Sequence, residues 1–382
     1  MKKIKTNQYI SAKHIYPENL LEHAHFYRGL AMKIDRDPSI INHYKNHPAM
    51  TLFLDDMTST CLERTKRFEC LSYGDVGVLL AAPGPSLSGQ MIRELGNTKQ
   101  KEFFFDYVNT HRAKTFLAVT EPDRGSDAAH LETALIPTPS KQTFYLGGEK
   151  CFVGNGAVGD IGIVIARLSP GPLGMMAVLI TPEQRGTPHC PDPTLIRRNI
   201  PTIGLRGSSL SHLQFMHYEV YREQILGEHL RIVQRGLMGL MKTFNRMRTC
   251  VGALAVGLSQ AVLDYVYEID LGKHEQALLI AMAAELNIAR KMLYHAAELI
   301  DEDVTNSAAA SMAKVIATQT AERIVADVMD FFDANVFYEH PLLEKWHRDV
   351  YGFEFMEGTR QIHYKNVANQ HMATHYAAII NG

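Results

Sequence analysis

Residues 117–127 read Leu117-Ala118-Val119-Thr120-Glu121-Pro122-Asp123-Arg124-Gly125-Ser126-Asp127. An apolar, β-prone run ends in a Pro/Asp/Gly/Ser turn, the pattern of a strand entering a polar loop. A glycine beside hydroxyls lets backbone N–H groups approach a phosphate or a polar ring edge; an ordinary polar turn would read the same way. The stretch is also where the periodicity of the chain changes. Ten of the 16 prolines lie from Pro122 to Pro201, and only Pro341 follows. Because proline breaks helix interiors, the chain reads as helix, then strand and loop, then helix.

Upstream, Leu20, Ala24, Tyr27, Ala31 and Ile34 recur at helical spacing behind Pro17, and further helices are predicted over 50–66 and 99–110, with a Gly/Pro/Ser break at 82–89. Downstream, strands are predicted over 115–119, 143–146, 162–168, 175–180 and 213–220, with Gly147-Gly148 as a two-residue hairpin turn. After residue 226 three apolar stripes return: Leu240 to Leu258, Leu279 to Ile300 and Ala313 to Phe331; the proline-free tail from Gly358 supplies a fourth helix. The expected fold class is α+β, with an N-terminal α-helical domain over 1–112, a middle antiparallel β domain over 113–226 and a C-terminal four-helix bundle over 227–382.

The 382 residues are 46% hydrophobic and 21% charged, enough to bury more than one core. Thirty-nine Lys and Arg against 41 Asp and Glu leave a net charge of -2, so no field holds a polyanion and nucleic acid is not an expected partner. Apolar runs such as Ile161–Ala166 fall short of the ~20 residues of a bilayer span, and no membrane is expected. The basic start Met1-Lys2-Lys3-Ile4-Lys5 is followed by polar residues, unlike a secretory signal. Five scattered cysteines form no clip or redox pair, which points to the reducing cytoplasm. The pairs His43/His47 and His371/His375 have helical spacing but no completing ligand, so no metal site is expected.

Two further constellations carry chemistry. Gly147-Gly148-Glu149-Lys150-Cys151-Phe152-Val153-Gly154-Asn155-Gly156 leads a strand into a Gly-rich bend, where Phe152 could lie on a flat cofactor or simply pack in a core. Met356-Glu357-Gly358-Thr359-Arg360-Gln361-Ile362 places a carboxylate beside a flexible glycine at a helix start. That suits a general base, and equally an acid that complements the helix dipole.

Taken in order, these strings resemble the acyl-CoA dehydrogenase family, together with Ile203-Gly204-Leu205-Arg206-Gly207-Ser208, Asn245-Arg246-Met247-Arg248 and Gly252-Ala253-Leu254-Ala255-Val256-Gly257-Leu258. The resemblance covers about 95–370. It implies FAD-dependent α,β-dehydrogenation of an acyl thioester, on coenzyme A or on an acyl carrier protein, with Glu357 as the base that takes the α-proton. By the same resemblance Thr120, Gly125, Ser126, Phe152, Gly154, Thr359 and Gln361 match cofactor contacts, and Ser126, Asn245, Arg248 and Gly358 match substrate contacts. An electron-accepting flavoprotein or oxygen, and a homodimer or homotetramer, are implied as partners.

The departures from the family pattern are local. Gly154 stands where threonine is usual. Glu268-Ile269-Asp270-Leu271-Gly272 puts acid where a partner subunit's arginine usually meets the FAD pyrophosphate, and Asp330-Phe331-Phe332-Asp333-Ala334-Asn335-Val336 replaces a Gln and Gly-Gly turn. These favour a rival reading, a flavin-deficient relative acting as a scaffold. A second rival, a flavin-dependent hydroxylase of the same fold, needs no base and is disfavoured by Glu357. The basic cluster Arg231, Arg235, Lys242, Arg246 and Arg248 reads as a solvated helix face or as a surface for an acidic carrier.

Overall fold

The computed structural model describes residues 9–381 apart from 55–57, 128–129, 183–185, 188–189 and 270, with backbone alone at 186–187, 190–191 and 373–381. Met1–Lys5 and Asp270, named above, therefore lie outside the described residues.

The chain opens with α1 (Glu18–Arg36), α2 (Pro48–Thr51), α3 (Cys61–Ala81), α4 (Ser86–Leu95) and α5 (Thr98–His111). The helix expected over 50–66 does not form as such. Among the described residues the chain makes the short α2 there, capped by His47 Nδ1, which accepts the Ala49 N–H at 3.2 Å, and α3 starts at Cys61. A capping box decides the restart: Thr60 Oγ1 accepts the Glu63 N–H at 3.1 Å and Glu63 Oε2 accepts the Thr60 N–H at 3.0 Å. The expected break at 82–89 is shorter than its Gly and Pro content suggests, because α4 already begins at Ser86.

Strands β1 (Thr115–Ala118), β2 (Ala134–Pro137), β3 (Thr143–Val153), β4 (Ile161–Arg167), β5 (Met175–Ile180), β8 (Leu195–Asn199), β9 (Ser211–Tyr221) and β10 (Ile225–Leu226) form one sheet in the order β10-β5-β4-β2-β3-β9-β8, with β1 on β4; β6 (Gly186–Thr187) and β7 (Cys190–Pro191) pair separately. The sheet is antiparallel except where β1 and the end of β2 meet β4 in parallel. The run Ile161–Ala166 is apolar throughout because β4 is buried on both faces. Ile161, Ile163 and Ile165 pack with Met91, Ile92, Phe104 and Phe105 of α4 and α5, while Val164 and Ala166 face Phe144, Leu146 and Phe215 across the sheet.

Gly147-Gly148 is not a hairpin turn: β3 runs straight through it. The register with β9 shifts between Leu146 and Gly148, which marks a bulge. Gly148 has φ +136°, and a Cβ there would lie 2.7 Å from Thr133 Cα, so only glycine lets β2 approach so closely.

The C-terminal part is α6 (Gly236–Tyr267), α7 (Lys273–Glu302), α8 (Ser307–Met329), α9 (Val336–Glu339), α10 (Pro341–Asp349) and α11 (Arg360–Asn381). Helix α8 packs against α6, α7 and α11. The stripe Leu279, Met282, Leu286, Ala289, Leu293, Ala296 and Ile300 is buried as its period implies. The segment Ile232–Tyr267 is long and apolar enough to cross a membrane, unlike the shorter runs counted in sequence, but 89% of its most apolar window is buried inside the protein. It is the central core helix. Its backbone touches α3 at Gly257, where a Cβ would lie 2.2 Å from Glu69 O.

Helices α1 and α3 share one apolar core with α6, α7, α8 and α10. The tie at its edge is ionic. Asp75 leaves helical geometry inside α3 (φ -167°, ψ 126°), caps Val78 through Oδ1 at 2.9 Å, and with Asp349 clasps the buried Lys345 Nζ at 2.7 and 2.6 Å. Lys345→Met would strand two buried carboxylates, which typically costs about 3–5 kcal/mol. We expect a fall of that size in the unfolding free energy from urea melts, narrowing as acid protonates the stranded pair; a loss below about 1 kcal/mol would show that the cluster is not an anchor.

Candidate active site

After α10 the chain makes a 3-10 turn, Val350–Phe355, and reaches Glu357 at φ +52° and Gly358 at φ +111° before α11 begins. A left-handed non-glycine residue costs roughly 1–3 kcal/mol and persists only where its surroundings fix it. Here the backbone is held on every side. Arg248 Nε of α6 donates to Glu357 O at 3.2 Å, and Lys314 Nζ of α8 donates to Glu354 O at 2.9 Å and Gly358 O at 2.7 Å. Glu354 Oε1 accepts the Arg360 N–H at 2.8 Å and so caps α11.

The Glu357 carboxylate is left without such partners. Its Oε2 is shut off from solvent and, among the described residues, makes no hydrogen bond. Burial pushes this carboxyl up to about 7, against the pull of Lys314 and Arg248. Both cations are buried, and burial pushes Arg248 down to about 10 and Lys314 to about 8. His363, fully buried with Nδ1 3.1 Å from Ser311 Oγ, is pushed down to about 3 by burial and the two cations, and stays neutral. Asn245 is also buried; its Oδ1 accepts from Arg248 at 2.7 Å and its Nδ2 donates to Val304 O at 2.9 Å, so both ends of the amide are occupied within the protein.

Two other carboxylates are already engaged. Glu121 accepts the N–H groups of Glu132 and Thr133 at 2.6 and 2.8 Å and pairs with Lys150 at 2.9 Å. Burial opposes its charge, but Lys150 and these donors outweigh that and hold it below the usual carboxylate range. Glu354 is spent on Arg360. A carboxylate free to take a proton is Glu357.

A second group of expected residues sits on the sheet rim. Phe152 is 61% exposed with φ +55°, beside a second irregularity in β3, so it is not a core side chain. A Cβ on Gly154 would meet only Ser208 O, at 3.9 Å, which leaves open space beside the ring. Asn155 (φ +57°) donates its N–H to Ser208 O at 2.8 Å and Nδ2 to Leu80 O at 3.3 Å, while Asn155 Oδ1 and Ser208 Oγ are buried without partners. Thr120 O accepts the Cys151 N–H at 2.8 Å, and Gly125, Ser126 and Gln361 are exposed. An exposed aromatic face, an adjoining gap and two unsatisfied buried oxygens fit one edge of a flat polar cofactor. At the other expected cofactor contact, Glu268 only ends α6, and Phe331 and Phe332 pack on the core with Phe332 5.2 Å from the His340 ring. No basic group was expected there; the two phenylalanines turn inward, while Glu268, Asp330 and Asp333 are exposed.

The basic cluster of the sequence does not survive folding as one surface. Lys242 and Arg246 both pair with Glu94, Arg235 donates to the carbonyls of Glu228 and Leu230, and Arg248 lies inside the site. Sequence reasoning missed Lys314, Asn155 and Ser208. The signal for Lys314 was a lysine inside an otherwise apolar stripe, Ala313-Lys314-Val315.

Comparison with known proteins matches residues 117–218 to the family described as acyl-CoA dehydrogenase, middle domain, and residues 234–372 to acyl-CoA dehydrogenase, C-terminal domain. Cyclohex-1-ene-1-carbonyl-CoA dehydrogenase of Geobacter metallireducens is 31% identical over 262 residues, 65% of this chain and 66% of that one. The caffeyl-CoA reductase-Etf complex subunit CarC of Acetobacterium woodii is 27% identical over 315 residues, 79% and 78% of the two chains. The solved structure of butyryl-CoA dehydrogenase from Megasphaera elsdenii superposes with a TM-score of 0.77 at 21% identity, over 97% of this chain and 100% of that one. With its helix–sheet–helix plan and these matches, the chain belongs to the acyl-CoA dehydrogenase family.

Proposed function

We propose that this protein is a flavin-dependent oxidoreductase that removes hydrogen from the α and β carbons of an acyl thioester, with Glu357 as the base. The observation that carries this reading is the buried, unpartnered Glu357 Oε2 beside two buried cations. The α-proton of a thioester is too weak an acid for a carboxylate in water, so the base must be desolvated and the carbonyl polarised. Burial raises the affinity of Glu357 for the proton, and Arg248 and Lys314 favour negative charge arriving on the thioester oxygen. The Glu357 backbone N–H is assigned to that oxygen.

FAD, when bound, supplies the acceptor for the β-hydride. Phe152 and Gly154, with Thr120, Gly125 and Ser126 on the sheet rim and Thr359 and Gln361 after the base, are the residues assigned to hold it. Asn245 is assigned to orient Arg248 rather than to reach the substrate arm, since both ends of its amide are occupied. The carrier is coenzyme A or an acyl carrier protein, and the relatives' names favour coenzyme A. The reductase relative also favours a second reading in which the same groups return a proton to the α carbon and the enzyme saturates the double bond.

Glu357→Gln is nearly isosteric and should keep the fold and bound flavin. Flavin bleaching by saturated acyl thioesters under anaerobic conditions should slow by about 10⁴-fold, the upper range for a positioned base. Unchanged bleaching would remove Glu357 from the mechanism, and no bleaching by the parent with any thioester would remove the dehydrogenase reading.

Because Glu268 and the inward-turned Phe331 and Phe332 replace phosphate-binding groups, gel-filtered protein should carry less than one FAD per chain and regain it on titration. Absence of binding at millimolar FAD would favour the flavin-deficient scaffold. Light scattering should report at least twice the 42.9 kDa chain mass, as for a homodimer or homotetramer; a monomer at micromolar concentration contradicts that assembly.

A further inference from the structure

We propose that Lys314 is a positioning residue for the base: a buried ammonium that clamps the backbone on both sides of Glu357 and, through space, keeps that carboxylate in its ionised, proton-accepting form. The inference rests on reading Glu357 as the base and goes beyond it by naming what makes the base usable.

Three of the buried lysines, each 1% exposed or less, can be compared within this one fold. Lys345, 1% exposed, is clasped by Asp75 and Asp349, and its charge is held above the ordinary lysine range. Lys150 pairs with Glu121 at 2.9 Å. Lys314 is as buried as Lys345, yet its hydrogen bonds go to two carbonyls, Glu354 O and Gly358 O, and among the described residues it forms no ion pair. A purely structural anchor at that depth would be less costly as an apolar side chain or as a paired ion. The two carbonyls belong to the residues three before and one after Glu357, so the clamp brackets the strained pair at φ +52° and +111°.

The charges around the clamp narrow its electrostatic target. Arg248 faces the site from α6, Glu322 from α8, Glu354 from the 3-10 turn, and Arg360 and His363 from α11. Glu322 and Glu354 are both met by Arg360, at 3.4 and 3.5 Å, and His363 is neutral. What remains is Lys314 and Arg248 against the unpartnered Glu357. When Glu357 takes the α-proton, the C–H bond breaks, an O–H bond forms on the carboxyl and the electron pair stays on the substrate. The same two cations then favour negative charge on the thioester oxygen.

Lys314→Gln keeps N–H donors for the carbonyls and removes the charge, while Lys314→Met removes both. With a cation gone, Glu357 holds its proton to higher pH. In both variants the acid limb of the kcat/KM profile should move up by about one unit, with a loss of roughly fivefold at pH 7 that is regained near pH 9. The second readout needs neither substrate nor flavin turnover: the protonated-carboxyl infrared band that Glu357→Gln abolishes should titrate at higher pH in Lys314→Gln than in the parent. A band midpoint or acid limb unchanged in Lys314→Gln overturns the proposal. If Lys314→Met does not fold, Lys314→Gln alone decides. If the parent acts on no thioester, the proposed function fails, and the infrared titration still tests the electrostatic coupling.

Discussion

A buried ammonium between two carboxylates, Lys345 with Asp75 and Asp349, is the interaction on which the relative placement of the site's walls depends. Three ions in a dry core are tolerable only when every lone pair is met, so each partner is fixed in place. Asp75 meets the requirement by leaving helical geometry and capping the second half of α3. Asp349 also accepts the Leu205 N–H at 2.6 Å, anchoring a loop whose Leu205 and Ser209 both have left-handed φ. Ser208 in that loop receives the Asn155 N–H, and Asn155 holds Leu80 O of α3. The exposed Phe152 face of the sheet is thereby tied to the helical core through a chain of buried polar contacts.

The Glu357 end of the site is built on the opposite principle. Other buried charges are met directly: Glu69, for example, accepts from Tyr16 at 2.7 Å, Arg290 at 2.6 Å and Tyr294 at 2.8 Å. Around Glu357 the hydrogen bonds of Arg248 and Lys314 are spent on neutral oxygens, and Glu357 Oε2 has no partner among the described residues. Such an arrangement is unfavourable for folding and suited to proton transfer, since the unsatisfied charge is the reactive feature. Its cost is carried by well-packed surroundings, in particular the small-residue face of α6 against α3 and α7.

Much of this was legible beforehand. The alternating and continuous apolar patterns located α1, β4, β5 and α7, because burial on one or both faces leaves a direct imprint on residue type. Glu357 and Arg248 were legible through ordered strings. The errors came where local chemistry has two solutions. Gly147-Gly148 satisfies a hairpin turn and equally a bulge, and the choice was made by Thr133, just ahead of β2. The segment 50–66 has helical composition, but a Thr60/Glu63 box starts the long helix only at Cys61. The five basic residues from Arg231 to Arg248 form a cluster only along the chain, since Glu94, from a different helix, neutralises two of them.

By itself the sequence determined the helix–sheet–helix order, the buried stripes and the family, because these depend on periodicity, on proline placement and on short strings whose residues are adjacent in the chain. Tertiary structure alone decided that the first and last helical regions share one core, that Glu121 and Glu354 are consumed as structural partners, and that Lys314 stands beside Glu357. Lys314 and Gly358 are 44 residues apart, and Arg248 is 109 from Glu357. Their chemistry arises from desolvation and Coulomb interaction across elements, which act over distance in space and leave no periodic trace along the chain.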